Sequence, residues 1–333
     1  MGDLSRLLKD QMASEFTVIS RYFKDLTGQQ GVALGIGDDA ALINMAPGQQ
    51  LVAATDTLVA GVHFPSSASA EQIATRALCV NLSDIAAMGA KPKWFTVALT
   101  IPPETASPKW LEGFSRGLAS VAKAFDLALV GGDTTAGPLT ISITLLAEVP
   151  IDGALLRSGA KAGDCIYVTG TLGDGAAALA EITHAGDENK VSERLLSRFY
   201  RPQPQVEIGI KLRALASACI DISDGLLADL GHICHASNVC AEINSQQLPI
   251  DPEVKANHAQ QSLAWALSGG DDYQLCFTLP QNQSQQVDQW IKSGQLKATM
   301  VGHIVAAKHE KQVILVDGKP ANTTTRGYDH FSS

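Results

Sequence analysis

A mixed α/β (α+β) chain of two domains is what this sequence predicts, on three observations. Short apolar strands alternate with Ala- and Leu-rich helical stretches in both halves. Asp-bearing turns recur at the ends of those strands. A chain of 333 residues with a Pro- and Gly-marked break near its middle exceeds one ordinary core. Hydrophobic content of 45% and charged content of 18% are globular values that allow sizeable cores.

In chain order, residues 4–23 read as an amphipathic helix with Phe16, Ile19, Tyr22 and Phe23 on or near one face, closed by Gly28 and Gly31. The glycine-opened turn Gly35-Ile36-Gly37-Asp38-Asp39-Ala40-Ala41-Leu42 follows, and a strand at 50–55 then delivers Asp56 at its end. Residues 70–88 predict a helix closed by Gly89. Its apolar run carries Asn81, Ser83 and Asp84, polar groups that cost energy there unless partnered. A strand at 95–101 ends at Pro102-Pro103, a helix spans 108–125, and a short strand at 127–130 ends in Gly131-Gly132-Asp133-Thr134-Thr135. Residues 139–149 form the clearest strand. Residues 150–163 read as the connection between domains 1–149 and 150–333. The second half repeats the grammar. Strands are expected at 164–169, 219–222, 241–243, 274–279, 300–305 and 313–316, and helices after Gly170-Thr171-Leu172-Gly173-Asp174-Gly175 and at 188–199, 207–216 and 226–237.

Composition excludes several classes. A net charge of -9 argues against a nucleic-acid backbone binder. No apolar run reaches membrane length, and residues 1–20 lack a signal-peptide core, so the expected location is the cytoplasm. Six cysteines form no C-x-x-C pair and read as buried free thiols; His232, Cys234, His235 and Cys240 lack zinc spacing. There is no P-loop, since Gly318-Lys319 is followed by Pro320. Gly35-x-Gly37-x-x-Ala40 fits a loose dinucleotide fingerprint. Asp38 and Asp39 would repel the pyrophosphate, however, and Pro47-Gly48 breaks the crossover helix.

The acidic turns carry the chemistry. Two carboxylates about 4 Å apart repel by roughly 4 kcal/mol at an effective dielectric near 20, so a chain keeps such pairs solvated or beside a cation. Asp and Ser in turns are ordinarily caps. Here the theme recurs at Asp38-Asp39, Thr55-Asp56, Ser83-Asp84, Gly132-Asp133, Asp221-Ile222-Ser223-Asp224 and Gly270-Asp271-Asp272. That recurrence favours magnesium, a hard ion that prefers oxygen ligands and bridges to phosphates.

Gly35-Ile36-Gly37-Asp38-Asp39, Thr55-Asp56-Thr57-Leu58-Val59-Ala60-Gly61-Val62-His63-Phe64, Asn81-Leu82-Ser83-Asp84, Gly131-Gly132-Asp133-Thr134-Thr135, Asp221-Ile222-Ser223-Asp224-Gly225, Ser268-Gly269-Gly270-Asp271-Asp272-Tyr273 and Gly327-Tyr328-Asp329-His330-Phe331 stand in that order. Together they make the chain resemble the bacterial thiamine-monophosphate kinases over nearly its whole length. The wider superfamily resembled includes aminoimidazole ribonucleotide synthetase and selenophosphate synthetase. The resemblance implies an aminoimidazole ribonucleotide synthetase-like fold, with an N-terminal sheet forming a barrel across a homodimer and a C-terminal α/β domain completing the nucleotide and substrate site. It implies ATP-dependent phosphorylation of thiamine monophosphate to thiamine diphosphate. It also implies several Mg2+ ions held by Asp39, Thr55, Asp56, Asp84, Asp133, Asp221 and Asp224. ATP would lie near Gly132, Asp133, Arg157 and Ser223, and thiamine monophosphate near His63, Asp271 and Tyr328. Two residues depart from the family pattern: Ala54, where Ser is frequent, and Asp271, where Glu is usual. The alternatives are another ATP-dependent synthetase of the superfamily, or a non-catalytic Mg-nucleotide binding protein.

Overall fold

A computed structural model describes residues 15–26, 28, 31–185, 188–307 and 314–321. The chain divides into two compact units, Met1–Leu82 with Lys91–Ile151, and Ser83–Ala90 with Asp152–Ser333.

The first unit contains α1 (Glu15–Val18), β1 (Val32–Leu34), β2 (Leu42–Ile43), β3 (Gln49–Val59), most of α2 (Ala70–Ala87), β4 (Lys91–Ile101), α3 (Pro108–Phe125), β5 (Ala128–Ala136) and β6 (Thr140–Pro150). Within the expected helix at 4–23, residues 4–14 lie outside the described residues, and α1 passes at Val18 into a π-helical turn, Ile19–Phe23. Ser107 Oγ caps α3 at the Trp110 N–H, Pro108 supplies the fixed first-turn φ, and Asp126 closes the helix in the left-handed conformation (φ 56°). Leu111, Phe114, Leu118 and Val121 bury one stripe, each contributing roughly 1.5–3 kcal/mol.

The four-stranded sheet runs β3-β6-β4-β5, with β4 and β5 parallel and the other pairs antiparallel. Period-2 burial along β6 (Ile141, Ile143, Leu145 and Ala147 inward) identifies the covered face, and Asn81 of α2 donates to Ile143 O at 3.0 Å across it. On the opposite face, Val32, Ala41 and Ile43, in and beside the β1–β2 pair, pack on Trp94, Ala128 and Val130.

Two strand ends expected from the sequence are corrected. β3 does not stop at Thr55, and β5 does not stop at Val130; Asp56 and Asp133 are both inside strands. Pairing with β6 carries β3 on as far as Val59, with Thr55 and Thr57 meeting the hydroxyls of Thr144 and Ser142 across the ladder. β5 continues because Gly132 has no Cβ: one would lie 2.0 Å from Val97 O of β4. The extra residue Val130 is taken up where the register with β4 shifts.

The second unit holds β7 (Cys165–Thr169), α4 (Asp174–Ala185), α5 (Glu193–Tyr200), α6 (Val206–Leu212), β8 (Ala218–Ile222), α7 (Leu226–Ser237) and β9 (Val239–Ile243). It continues with α8 (Pro252–Asn257), α9 (Ser262–Ser268), β10 (Gln274–Leu279), α10 (Ser284–Lys292), β11 (Ala298–Ala306), β12 (Ile314–Val316) and β13 (Lys319–Pro320). The seven-stranded sheet runs β13-β12-β9-β11-β7-β10-β8. One face packs Ile166, Val168, Ile220, Ile222 and Cys276 on Leu226, Leu230 and Ile233 of α7. Tyr167 and Phe277 stack at 5.5 Å, and Tyr167 Oη donates to Asp288 of α10. The helix expected at 207–216 is shorter, ending at Leu212, and α8 and α10 were not anticipated.

Candidate functional site

In the first unit, Asp38, Asp39 and Asp133 line one cavity of about 400 Å³ with Gly131, Gly132 and Val97. All three carboxylates are exposed. Asp38 Oδ1 accepts the Asp39 N–H at 2.9 Å, so Asp38 caps its own turn while Asp39 does not. Asp133 Oδ1 accepts the Thr134 N–H at 2.9 Å.

Asp56 differs. The ladder places it in a row with Ile143, Val97 and Gly132. The next row holds Thr57, Ser142, Ala98 and Asp133. Adjacent rows face opposite sides of a sheet, so Asp56 shares the covered side with buried Ile143, and Thr55 faces away from it. Thr55 and Thr57 spend their hydroxyls on Thr144 and Ser142, at 2.8 and 2.7 Å. Burial raises the Asp56 pKa, and no partner among the described residues offsets it.

His63 sits in the turn after β3. Its Nδ1 accepts the Val59 N–H at 3.0 Å, which puts the neutral ring's proton on Nε2. Buried Arg76 donates to His63 O at 3.1 Å and fixes the turn.

In the second unit, buried Asp221 is the last residue but one of β8, and Ser223-Asp224-Gly225 leads into α7. Asp229, one turn into α7, was not singled out from the sequence. Its Oδ2 gathers the N–H groups of Ser223, Asp224 and Gly225 at 3.0, 3.1 and 3.1 Å. Burial and then the charges of Asp221 and Asp224 push its carboxyl up to about 8, against those amide donors. The sequence signal was a carboxylate in the apolar helix Leu-Leu-Ala-Asp-Leu.

The 268–273 loop docks on this segment. Asp271 N–H donates to Ser223 O at 2.7 Å, and Tyr273 N–H to Ile222 O at 2.8 Å. Asp84 lies part-buried near the end of α2, in the stretch Ser83–Ala90, where Leu155 N–H donates to Met88 O. Arg157 is exposed on the loop whose Gly159 and Ala160 N–H groups bind Ser237 Oγ. Tyr328, with the rest of Gly327-Tyr328-Asp329-His330-Phe331, lies outside the described residues. The expected ATP residues therefore divide between the units: Gly132 and Asp133 in the first, Arg157 and Ser223 in the second.

Among the described residues no three His, Cys, Asp or Glu side chains already hold metal-binding geometry. The donor set is nonetheless all oxygen, and each unit holds a carboxyl raised by burial, Asp56 in the first and Asp229 beside the charges of Asp221 and Asp224 in the second, which is the electrostatic situation that a hard divalent cation relieves.

The N-terminal domain of AIR synthase related proteins matches residues 37–149, and their C-terminal domain matches residues 161–314. The two sheets described above thus constitute a two-domain fold of that class. The thiamine-monophosphate kinase of Escherichia coli K12 is 44% identical over 96% of this chain and 98% of its own length. The crystal structure of the Stenotrophomonas maltophilia K279a kinase is 43% identical, covers 92% of this chain and 98% of its own, and superposes with a TM-score of 0.85. AaThiL complexed with AMPPCP and TMP is 32% identical over 95% of this chain and 97% of its own, with a TM-score of 0.76. This chain belongs to the thiamine-monophosphate kinase family.

Proposed function

We propose that this chain transfers the γ-phosphoryl group of ATP to thiamine monophosphate, giving thiamine diphosphate and ADP. The observation that carries the reading is 44% identity to a thiamine-monophosphate kinase over 96% of the chain. The acidic segments and the His63 turn agree with it.

In the first unit, Asp39, Thr55, Asp56 and Asp133 are assigned to Mg2+, and Gly132 and Asp133 to ATP. In the second, Asp84, Asp221 and Asp224 are assigned to Mg2+, Arg157 and Ser223 to ATP, and Asp271 and Tyr328 to the acceptor, with His63 of the first unit. The functional division is residues 1–149 for ATP, Mg2+ and dimerisation, and 150–333 for completing the nucleotide and acceptor sites. The working form is a cytoplasmic homodimer in which the N-terminal sheets close a barrel. β3 supports that reading: it is an eleven-residue edge strand in the single chain, and Leu51 on it is 50% exposed.

The acceptor is a phosphate monoester, whose second pKa of about 6 leaves its oxygen anionic at neutral pH. No general base is required. The barrier is the approach of one anion to another. Bound Mg2+ would neutralise that charge and template in-line transfer. The chain's own part is to hold Asp39, Asp56, Asp133, Asp84, Asp221 and Asp224 for the ions, to place His63 at the acceptor, and to clamp phosphate with the Arg157 guanidinium. No protein nucleophile takes part.

The direct test is mass detection of thiamine diphosphate from ATP and thiamine monophosphate; ATP binding without that product defeats the reading. With chirally labelled γ-phosphate, inversion at phosphorus is expected, and net retention would replace direct transfer by a phospho-enzyme.

A further inference from the structure

The 170–175 turn has the form of a phosphate cradle: a strand, a glycine turn, then the N-terminus of a twelve-residue helix. In this protein the cradle is filled from within. Asp272 Oδ2 accepts the Gly173 N–H at 2.8 Å, and Asp272 Oδ1 accepts the Gly175 N–H at 3.3 Å. Asp272 is 3% exposed, so it reaches no substrate. Its position along the chain gives it another use, because it follows Asp271.

The loop around Asp271 is held in an unfavourable backbone. Gly270, Asp271 and Tyr273 have φ of 67°, 63° and 51°. Only glycine takes the left-handed region without steric penalty, so Asp271 and Tyr273 need surroundings that fix them. One side supplies the main-chain bonds to Ser223 and Ile222. On that side a Cβ on Gly270 would stand 2.6 Å from Ser223 O. The other side is the glycine turn, where a Cβ on Gly175 would stand 2.2 Å from Asp271 O. Arg198 bonds both Asp174 (3.0 Å) and Thr171 O (3.4 Å), which holds the turn itself in place.

We propose that Asp272 is a positioning residue: docked in the glycine turn, its carboxylate locks the left-handed loop that presents Asp271 to the acceptor phosphate ester. The proposal rests on the reading of Asp271 as an acceptor-binding residue. It also makes the glycine turn a structural socket rather than a second nucleotide site.

Two variants disturb the loop from different directions. Asp272→Asn puts an NH2 donor where an N–H now finds an acceptor. Gly175→Ala leaves every charge in place and presses on Asp271 O. Each is expected to raise KM for thiamine monophosphate about tenfold or more. The Kd for ADP, measured calorimetrically without thiamine monophosphate, should stay within twofold of wild type, with unfolding still cooperative. Unchanged KM in a folded variant, or KM and Kd weakening in parallel, overturns the proposal. Amide exchange in the wild-type protein serves if neither variant folds: slow exchange at Gly173 and Gly175 is expected, and fast exchange at both overturns the docking. Asp271→Ala with unchanged KM removes the acceptor assignment, and the proposal with it; the exchange measurement reports on the socket independently.

Discussion

Replacing Asp56 by Asn has two consequences of opposite sign, and together they separate a metal ligand from a structural residue. Asp56 lies on the helix-covered face of β3, opposite Ile143, with no partner among the described residues. Burial raises its folded pKa above the 3.8 of an unperturbed Asp. A carboxyl with a raised folded pKa contributes stability fully below about pH 3.8 and loses it as pH rises through the folded value. At pH 8 without Mg2+ the buried charge is therefore a net cost, and the neutral isostere should raise the urea midpoint. Catalysis should move the other way. Losing one preorganised electrostatic partner typically lowers kcat by about 10²–10³, or about 3–4 kcal/mol of barrier. The assay is coupled ADP release at saturating thiamine monophosphate across a Mg2+ titration, beside urea unfolding in EDTA. Unchanged kcat at saturating Mg2+ refutes the ligand assignment. Loss of both kcat and metal-free stability would show that Asp56 serves the fold instead.

Three further outcomes are expected. Burial pushes the Asp272 carboxyl up to about 7, with Asp174 raising it and the Gly173 and Gly175 amides and Arg198 opposing. Its stability contribution is thus full below about pH 3.8 and lost as pH rises through 7, so wild-type stability should fall between pH 5 and 8.5 and Asp272→Asn should flatten that fall; an unchanged slope refutes the shift. Gly132→Ala drives a Cβ to within 2.0 Å of Val97 O at φ 155°, and should cost about 3 kcal/mol or more by parting β4 from β5. A wild-type urea midpoint would show that the strands can give. Leu51→Glu places a charge on the open face of β3 and should shift the proposed dimer to monomer in sedimentation; the same mass as wild type would overturn an interface on β3.

The legible parts of this fold are those where local chemistry and tertiary packing agree. Ser107-Pro108 and Asp126 bracket α3, and its boundaries follow from the sequence alone. α7 (Leu226–Ser237) and β10 (Gln274–Leu279) are equally plain. The strand ends at Asp56 and Asp133 were misread because Gly and Asp locally favour turns. What overrides them is eleven-residue pairing with β6 in one case and close backbone approach at Gly132 in the other, both set by distant residues. The candidate site was read as six acidic loops, of which Thr55-Asp56 and Gly132-Asp133 lie inside strands and Ser83-Asp84 inside α2. Their facing was not legible, because alternation sends Thr55 and Asp56 to opposite sides once β3 runs through them.

The acidic residues then fall into two kinds that sequence alone cannot separate. Asp38, Asp39 and Asp133 are exposed around a cavity, and Asp38 and Asp133 each turn only one oxygen onto a neighbouring N–H. Asp229 and Asp272 are buried, and both turn inward onto runs of backbone N–H groups, at Ser223, Asp224 and Gly225 for one and at Gly173 and Gly175 for the other. Those are the donors that a glycine turn or helix N-terminus would otherwise offer to phosphate. By occupying them internally, the protein withdraws these two ready-made anion sites. On the proposed reading phosphate is then held by cations, which fits a net charge of -9 and a reaction that brings two phosphate anions together.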